Sequence, residues 1–202
     1  MKKHIFVFVF LFSSIGVAKA SIAGLFVEPM LTYETGSGNI SFPAPINNSD
    51  SKVKGFGVGA RLGAQVFDIV FAGVDGRYSI PKLKDTTLNQ DIKSKGWNAG
   101  PMVGLQMPTP VGLRFWGTWI LAGQLDPDSD KGVDEKFKSG NGYRLGAGFR
   151  LGPVSLNAEY QYIKYDQTEI QQVAVFNNGF STSDIVLTNK SLILSVSIPI
   201  GL

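Results

Sequence analysis

A strict alternation of apolar and polar residues runs through the second half of the chain and limits what it can fold into. Residues 143–162 carry an apolar side chain at every second position, in two runs separated by Gly152-Pro153. Successive side chains of a β-strand point to opposite faces, so a period of two indicates strands with one apolar and one polar face. No helical period stands out elsewhere. The sequence therefore predicts an all-β protein.

Eight segments follow this pattern, and we expect strands near 23–34, 54–66, 69–80, 96–107, 111–123, 143–151, 154–162 and 190–202. The connections alternate between short turns, at 67–68, 108–110 and 152–153, and long polar segments, at about 35–53, 81–95, 124–142 and 166–189. Short turns at one end and long loops at the other are typical of membrane barrels. The prediction is an eight-stranded antiparallel up-and-down transmembrane β-barrel, with both termini at the short-turn end and four loops outside the cell.

The composition of the polar row indicates which face points inward. It is rich in glycine, which is a poor choice for a solvated strand face but fits the crowded interior of a small barrel. We expect this row to fill the lumen with a charged network in which each acid pairs with an arginine. Its members are Glu28, Arg61, Asp75, Arg77, Arg114, Arg144, Arg150 and Glu159.

Aromatic residues of the apolar row collect at the long-loop end of the strands. Membrane barrels carry such a girdle where the outward face meets the lipid–water boundary. The predicted girdle consists of Tyr33, Tyr78, Trp97, Trp119, Tyr143, Tyr160 and Tyr162. The alternative that stays open is a soluble, lipocalin-like barrel that places the apolar row inside, around an apolar ligand.

The first twenty residues have the pattern of a secretory signal peptide, with Lys2 and Lys3, a short apolar run and a cleavage site after Ala20. We therefore expect the barrel domain to span residues 21–202. The chain has 19 Lys and Arg against 16 Asp and Glu, and the signal holds three of the lysines and no acid. The mature chain is then balanced at 16 against 16, which argues against nucleic-acid binding.

Two residue types that support catalysis are missing from the expected mature chain. There is no cysteine, and the single histidine, His4, lies inside the signal. A serine–histidine arrangement therefore cannot be built. We expect no enzymatic activity and no cofactor.

One acidic loop resembles the start of a calcium-binding loop, with Asp126, Asp128 and Asp130 at alternate positions. Its glycine falls at the seventh position instead of the sixth, and Phe137 stands where a bidentate Glu is required. We interpret the segment as a solvated acidic loop and keep calcium only as a weak candidate.

Strand number, alternation, loop asymmetry and signal together resemble the small outer-membrane barrels of the OmpA/OmpX type, over the whole mature chain. The final strand ends in Leu202, where such barrels usually end in an aromatic residue. The resemblance implies a bacterial outer-membrane location, a barrel without a periplasmic domain, and a monomer. It implies as partners the outer-membrane lipids and lipopolysaccharide, the barrel-assembly machinery during insertion, and an extracellular molecule that the loops bind.

The function that follows from these expectations is structural or surface-interacting, with a plugged polar interior. A narrow solute channel is the alternative, since the interior row has more arginines than acids. A soluble periplasmic carrier of an apolar ligand is the third possibility.

Overall fold

Extended strands make up most of the computed structural model, which describes residues 24–45, 47–67, 69–85, 90–109, 111–129, 133–173 and 180–201. The strands are β1 (Leu25–Ser41), β2 (Ser49–Val66), β3 (Val70–Asp85), β4 (Gln90–Gln106), β5 (Leu113–Ile120), β6 (Ala122–Pro127), β7 (Val133–Leu151), β8 (Val154–Val173), β9 (Phe180–Thr182), β10 (Val186–Ser197) and β11 (Ile200–Gly201). Within these ranges no helix is long and apolar enough to cross a membrane. The expected signal peptide lies outside them.

The strands close into a ring of eight among the residues that the structure describes. Neighbours in the chain pair antiparallel, and β1 pairs with β10 to close the barrel. β5 and β6 both lie between β4 and β7, so they form one barrel strand that is interrupted at Leu121. β11 continues β10 after a break at residues 198–199, and β9 pairs only with the end of β8 in the described sheet.

The strands are longer than the alternation indicated. β1, β2 and β8 have 17, 18 and 20 residues, whereas about 10 tilted residues cross a bilayer. The segments that we expected to be long loops are therefore largely strand, and this part of the prediction was wrong. The barrel wall continues well beyond the membrane as paired hairpins. Within the predicted loop 166–189, β9 adds a further short pairing with the end of β8.

The two faces of the wall have the expected polarity across the membrane. Outward side chains are apolar and open, with Phe56, Leu31 and Trp119 exposed by 73%, 68% and 67%. Inward positions hold charged and hydroxyl groups, and Arg61 and Arg144 are completely buried. A soluble carrier needs the apolar row inside, so this arrangement excludes that alternative.

The faces of the β7–β8 hairpin exchange just outside the membrane. Phe137 and Gly140 both point inward although three positions separate them, and so do Tyr165 and Thr168 opposite them. The exchange occurs at Ser139, which has a positive φ of 55°. A left-handed residue adds the local twist that lets the wall change its parity.

Candidate functional site

Seven charged side chains from six barrel strands meet inside the lumen. The register brings Glu28, Arg61 and Asp75 into line across β1, β2 and β3. The opposite wall contributes its members from β5, β7 and β8. We call this set the ion network, and it consists of Glu28, Arg61, Asp75, Arg77, Arg114, Arg144 and Glu159.

Arg61 lies at the centre of the ion network. Its Nε donates to Asp75 at 3.1 Å and its Nη1 to Glu28 at 3.2 Å. Its Nη2 donates to Glu159 across the lumen. The guanidinium also lies 4.2 Å from the centre of the Trp116 ring, a favourable cation–π distance. Through this one side chain, β2 is linked to β1, β3 and β8.

Asp75 and Glu159 are each shared among several arginines. Arg77 donates to Asp75 at 2.9 Å and approaches Glu159 at 2.6 Å. Arg144 donates to Asp75 at 3.0 Å, and its Nε lies 3.8 Å from Glu159. Neither acid is left uncompensated, which satisfies the requirement that buried charges be paired.

Glu28 forms the part of the ion network nearest the short turns. Arg114 donates to both of its carboxylate oxygens, at 2.8 and 2.7 Å, in the bidentate geometry that favours Arg–carboxylate pairs. Ser197 donates to the same carboxylate at 2.6 Å and thereby ties the last long strand to the first.

Amide and hydroxyl groups extend the ion network toward the long hairpins, and the sequence reasoning did not select them. Gln161 accepts from Arg144 at 2.5 Å and donates to Glu34 at 3.4 Å. Glu34 also accepts from Asn189 and Ser191. The signal for these residues was present, since all lie on the polar parity of their strands. A cavity of only about 10 Å³ remains beside Glu34 and Gln161, room for about one water molecule.

Apolar side chains close the lumen below the ion network. Phe26, Phe71, Met102 and Trp116 form a buried cluster at the short-turn end. Gly146 makes room for Trp116, because a Cβ on that glycine would overlap the indole ring. We call this cluster the lower cap. Beneath it lies an open cavity of about 270 Å³, beside Arg114 and Arg150.

A second apolar cluster closes the lumen above the ion network, inside the part of the wall that extends beyond the membrane. We call it the upper cap, and it consists of Val53, Leu83, Ile120, Leu125, Phe137, Ile163, Tyr165 and Leu187. Ile185 packs against it, so Ile185 and Leu187 lie inside the barrel although both belong to the predicted loop 166–189.

One member of the predicted charged set is not part of the ion network. Arg150 lies near the short-turn end, half-buried, and its Nε donates to the carbonyl oxygen of Gly152 at 2.9 Å. Arg150 is the last inward-facing residue of β7 before the turn at Gly152. Its side chain therefore lies at the open, short-turn end of the barrel and does not reach the ion network. The expectation that it belongs to the interior network was therefore wrong.

The predicted girdle residues lie on the outer face at one level of the barrel. The register sets Tyr78 beside Trp97, and Trp119 beside Tyr143. The rings of Tyr143 and Tyr162 stack with centroids 5.6 Å apart. Tyr160 is exposed by 42%, and Tyr33 contacts Phe56 at 5.0 Å between centroids. A continuous aromatic level of this kind marks a membrane boundary.

The acidic loop gives no support for a metal. Asp126 lies in β6 and forms an ion pair with Lys136 at 3.0 Å. Asp128 is exposed, and Asp130 falls outside the described residues. Across the described ranges, no group of three or more acidic or histidine side chains is arranged to hold a metal ion.

The fold and the filled lumen define the class: a bacterial outer-membrane β-barrel. The chain belongs to the family of outer membrane protein β-barrel domains, which matches residues 7–197. The strand count and alternation had already indicated this kind of barrel, and the family confirms it. No curated protein matches the sequence significantly.

Solved structures of outer-membrane proteins resemble the chain. OprG from Pseudomonas aeruginosa is 12% identical over 90% of this chain and 98% of its own, with a TM-score of 0.53. Neisserial surface protein A is 16% identical over 87% and 97%, with a TM-score of 0.46. OmpT, an outer membrane protease from Escherichia coli, is 9% identical over 94% and 100%, with a TM-score of 0.46. At such identities the likeness concerns the fold alone.

Proposed function

We propose that the protein is a non-conducting barrel that anchors long β-hairpins at the cell surface and acts there in a structural or surface-interacting role. The observation that carries the proposal is the order of layers in the lumen. A buried ion network lies between two apolar caps, and Glu28, Arg61, Asp75 and Arg144 are completely inaccessible to water. A hydrated solute would have to displace all three layers.

The hairpins beyond the membrane are the part available to partners. β9 has one paired edge in the described sheet, against residues 168–170 of β8. An exposed strand edge of this kind supports binding of an extracellular partner by strand addition. We further propose that the protein works as a monomer and meets the barrel-assembly machinery only during insertion.

The proposed role is not catalytic. Each carboxylate of the ion network accepts from arginines, so none is available as a general base. The serine hydroxyls nearby serve the same pairing, as Ser197 does toward Glu28.

Planar-bilayer recording of refolded residues 21–202 tests the proposal. We expect no steady conductance from the wild type, and none from Arg144→Ala, because both caps persist in that variant. Lys138→Ala, on the hairpin outside the lumen, is the matched control. A large, stable conductance in the wild type would overturn the non-conducting proposal.

A narrow anion passage is the second candidate, favoured by one observation. The ion network holds four arginines against three acids, and Arg150 adds a further cation beside the open lower cavity. If small steady currents appear, the reversal potential in a salt gradient decides between the candidates. Anion selectivity that disappears in Arg150→Gln would favour the passage.

A further inference from the structure

Five lysines form two rows on the outer face of β2, β3 and β4. In the lower row, Lys54 lies opposite Lys82, and Lys82 opposite Lys93. In the upper row, Lys52 lies opposite Lys84. All five side chains are exposed. We call them the lysine rows.

Like charges that face each other across strands destabilise a sheet, so negative charge bound next to the lysine rows would stabilise this part of the wall. Asp91 lies opposite Lys84 in the upper row, and the amide of Asp128 donates to the carbonyl oxygen of Lys93 at the end of the lower row. Lys54 lies between Thr35 and Lys82, and Lys82 lies between two lysines, so neither faces an acid across the strands. Among the side chains that the structure describes, no ion pair joins Lys54, Lys82 or Lys93 to an acid.

Three lysines on other strands show the usual arrangement. Lys136 pairs with Asp126, Lys138 with Glu169, and Lys164 with Asp166. The hydrogen bond from Lys164 lowers the pKa of Asp166 below its usual value. These three pairs show how a lysine on the outer wall is neutralised when an acid lies beside it, whereas Lys54 and Lys82 have no acid opposite them across the strands.

The lower row lies at the height of lipid headgroups. Lys54 and Lys82 come two residues after Phe56 and Ile80 in the direction away from the membrane, a rise of about 7 Å along the strands. Phe56 and Ile80 are exposed by 73% and 57% at the upper edge of the apolar band. A cation just above such an edge meets the charged groups of the outer leaflet.

An apolar groove runs down the wall beneath the lysine rows. Its volume is about 800 Å³, and its lining includes Leu31, Phe56, Val58, Tyr78, Ile80 and Leu194. Phe56 and Ile80 belong to the strands that carry Lys54 and Lys82. Positive charge at headgroup height and an apolar channel below it therefore occur on the same part of the wall.

We propose that the lysine rows and the groove form one binding site for an outer-leaflet lipid that carries phosphate groups, the chemistry of lipopolysaccharide. The lower row binds the phosphates, and the groove holds an acyl chain. Several phosphates on one molecule would neutralise several adjacent lysines at once. The site depends on the outer-membrane location and not on the closed lumen, so it can fail while the non-conducting function stands.

Titration of the detergent-refolded protein with purified lipopolysaccharide tests the site. In the triple variant Lys54→Gln, Lys82→Gln, Lys93→Gln we expect the Kd to rise by about tenfold or more, since each lysine contributes separately to attraction by an anionic surface. The matched control is Lys136→Gln, Lys138→Gln, Lys164→Gln, which removes the same charge from another part of the wall. Its Kd should stay near the wild-type value. Equal effects in both triples would overturn the proposal.

Three further arms identify the ligand chemistry. Replacement of the lower row by arginine should retain binding, which separates loss of charge from loss of fold. Lipopolysaccharide stripped of phosphate should bind about as weakly as the glutamine triple does. Pyrophosphate alone should bind more weakly than the intact lipid, and Val58→Trp, which fills the groove, should weaken only the lipid. Undiminished binding of dephosphorylated lipid, or equal binding of pyrophosphate and lipid, would refute the combined site.

Discussion

Substitution of an acid in the ion network should cost more stability than substitution of an arginine. Within the ion network, four arginines share three acids. Arg144→Met leaves every acid in contact with at least one other arginine, whereas Glu159→Gln leaves the four arginines with two acids in the ion network. Glu159 contacts Arg61 and Arg77 closely, so its replacement leaves two buried guanidinium groups short of a partner.

The structure allows a rough magnitude for each variant. Removal of one partner from a buried ion pair costs about 3–5 kcal/mol, and we expect Glu159→Gln to fall in this range. Arg144→Met removes one close ion pair, to Asp75 at 3.0 Å, and the hydrogen bonds to Gln161. It also removes a positive charge, so the remaining arginines of the ion network repel each other less. We expect a cost of about 1–3 kcal/mol for Arg144→Met, typical of lost hydrogen bonds to charged groups.

Urea titration in lipid vesicles, followed by tryptophan fluorescence, measures both costs. The slope of the transition should not change, so that the midpoints report stability. Arg144 and Glu159 lie 3.8 Å apart, and the double variant should therefore cost less than the sum of the single ones. A larger cost for Arg144→Met than for Glu159→Gln would refute the argument that acids are the scarcer partners in the ion network.

Three other perturbations test the caps and the outer hairpin. Gly146→Ala should lower the yield of heat-modifiable barrel on gels, because the new Cβ overlaps Trp116, whereas Gly117→Ala, whose Cβ would lie 3.6 Å from its nearest neighbour, should not; equal yields would contradict the crowding argument. Leu187→Ala in the upper cap should cost about 2–5 kcal/mol of unfolding free energy and speed proteolysis of the hairpins, and an unchanged protease pattern would count against a packed cap. Burial raises the pKa of Glu135 above its usual 4.5, so the charged form destabilises the β7–β8 hairpin. The protection of its amides, which is the intrinsic hydrogen-exchange rate divided by the observed rate at the same pH, should therefore fall as the pH rises from about 4.5 through the raised pKa, and Glu135→Gln should abolish this fall.

The faces of the barrel within the membrane could be predicted from alternation, because lipid outside and a crowded lumen inside demand opposite residue types. Parity placed Arg61 and Glu159 inside although 98 residues separate them. It could not show that Arg150 stops at the mouth, because this depends on how far each strand extends before its turn. Which arginine meets which acid depends in turn on the register around the closed ring.

The longer hairpins were missed because the same alternation reverses its meaning outside the membrane. There water bathes the outer face, so Lys52 and Lys54 point outward while Ser51 and Val53 point into the upper cap. Polar and apolar residues still alternate in these hairpins, but their outward row is polar. The prediction required an outward apolar row and therefore assigned these segments to loops. The parity exchange at Ser139 adds a further obstacle, since serine gives no sign of a positive φ.

The caps seal the ion network from water, whereas the lysines of the outer wall are open to it. Dissolved salt therefore acts differently on these two sets of charges. Mobile ions screen exposed charges within about 8 Å at physiological ionic strength and reach buried pairs far less. The arginines and acids of the lumen are out of their reach, while the lysines on the outer wall are fully open to them. A cell that moves between dilute and saline water would therefore keep the same barrel, while the salt-sensitive attraction of its outer wall for anionic molecules strengthens or weakens with the medium.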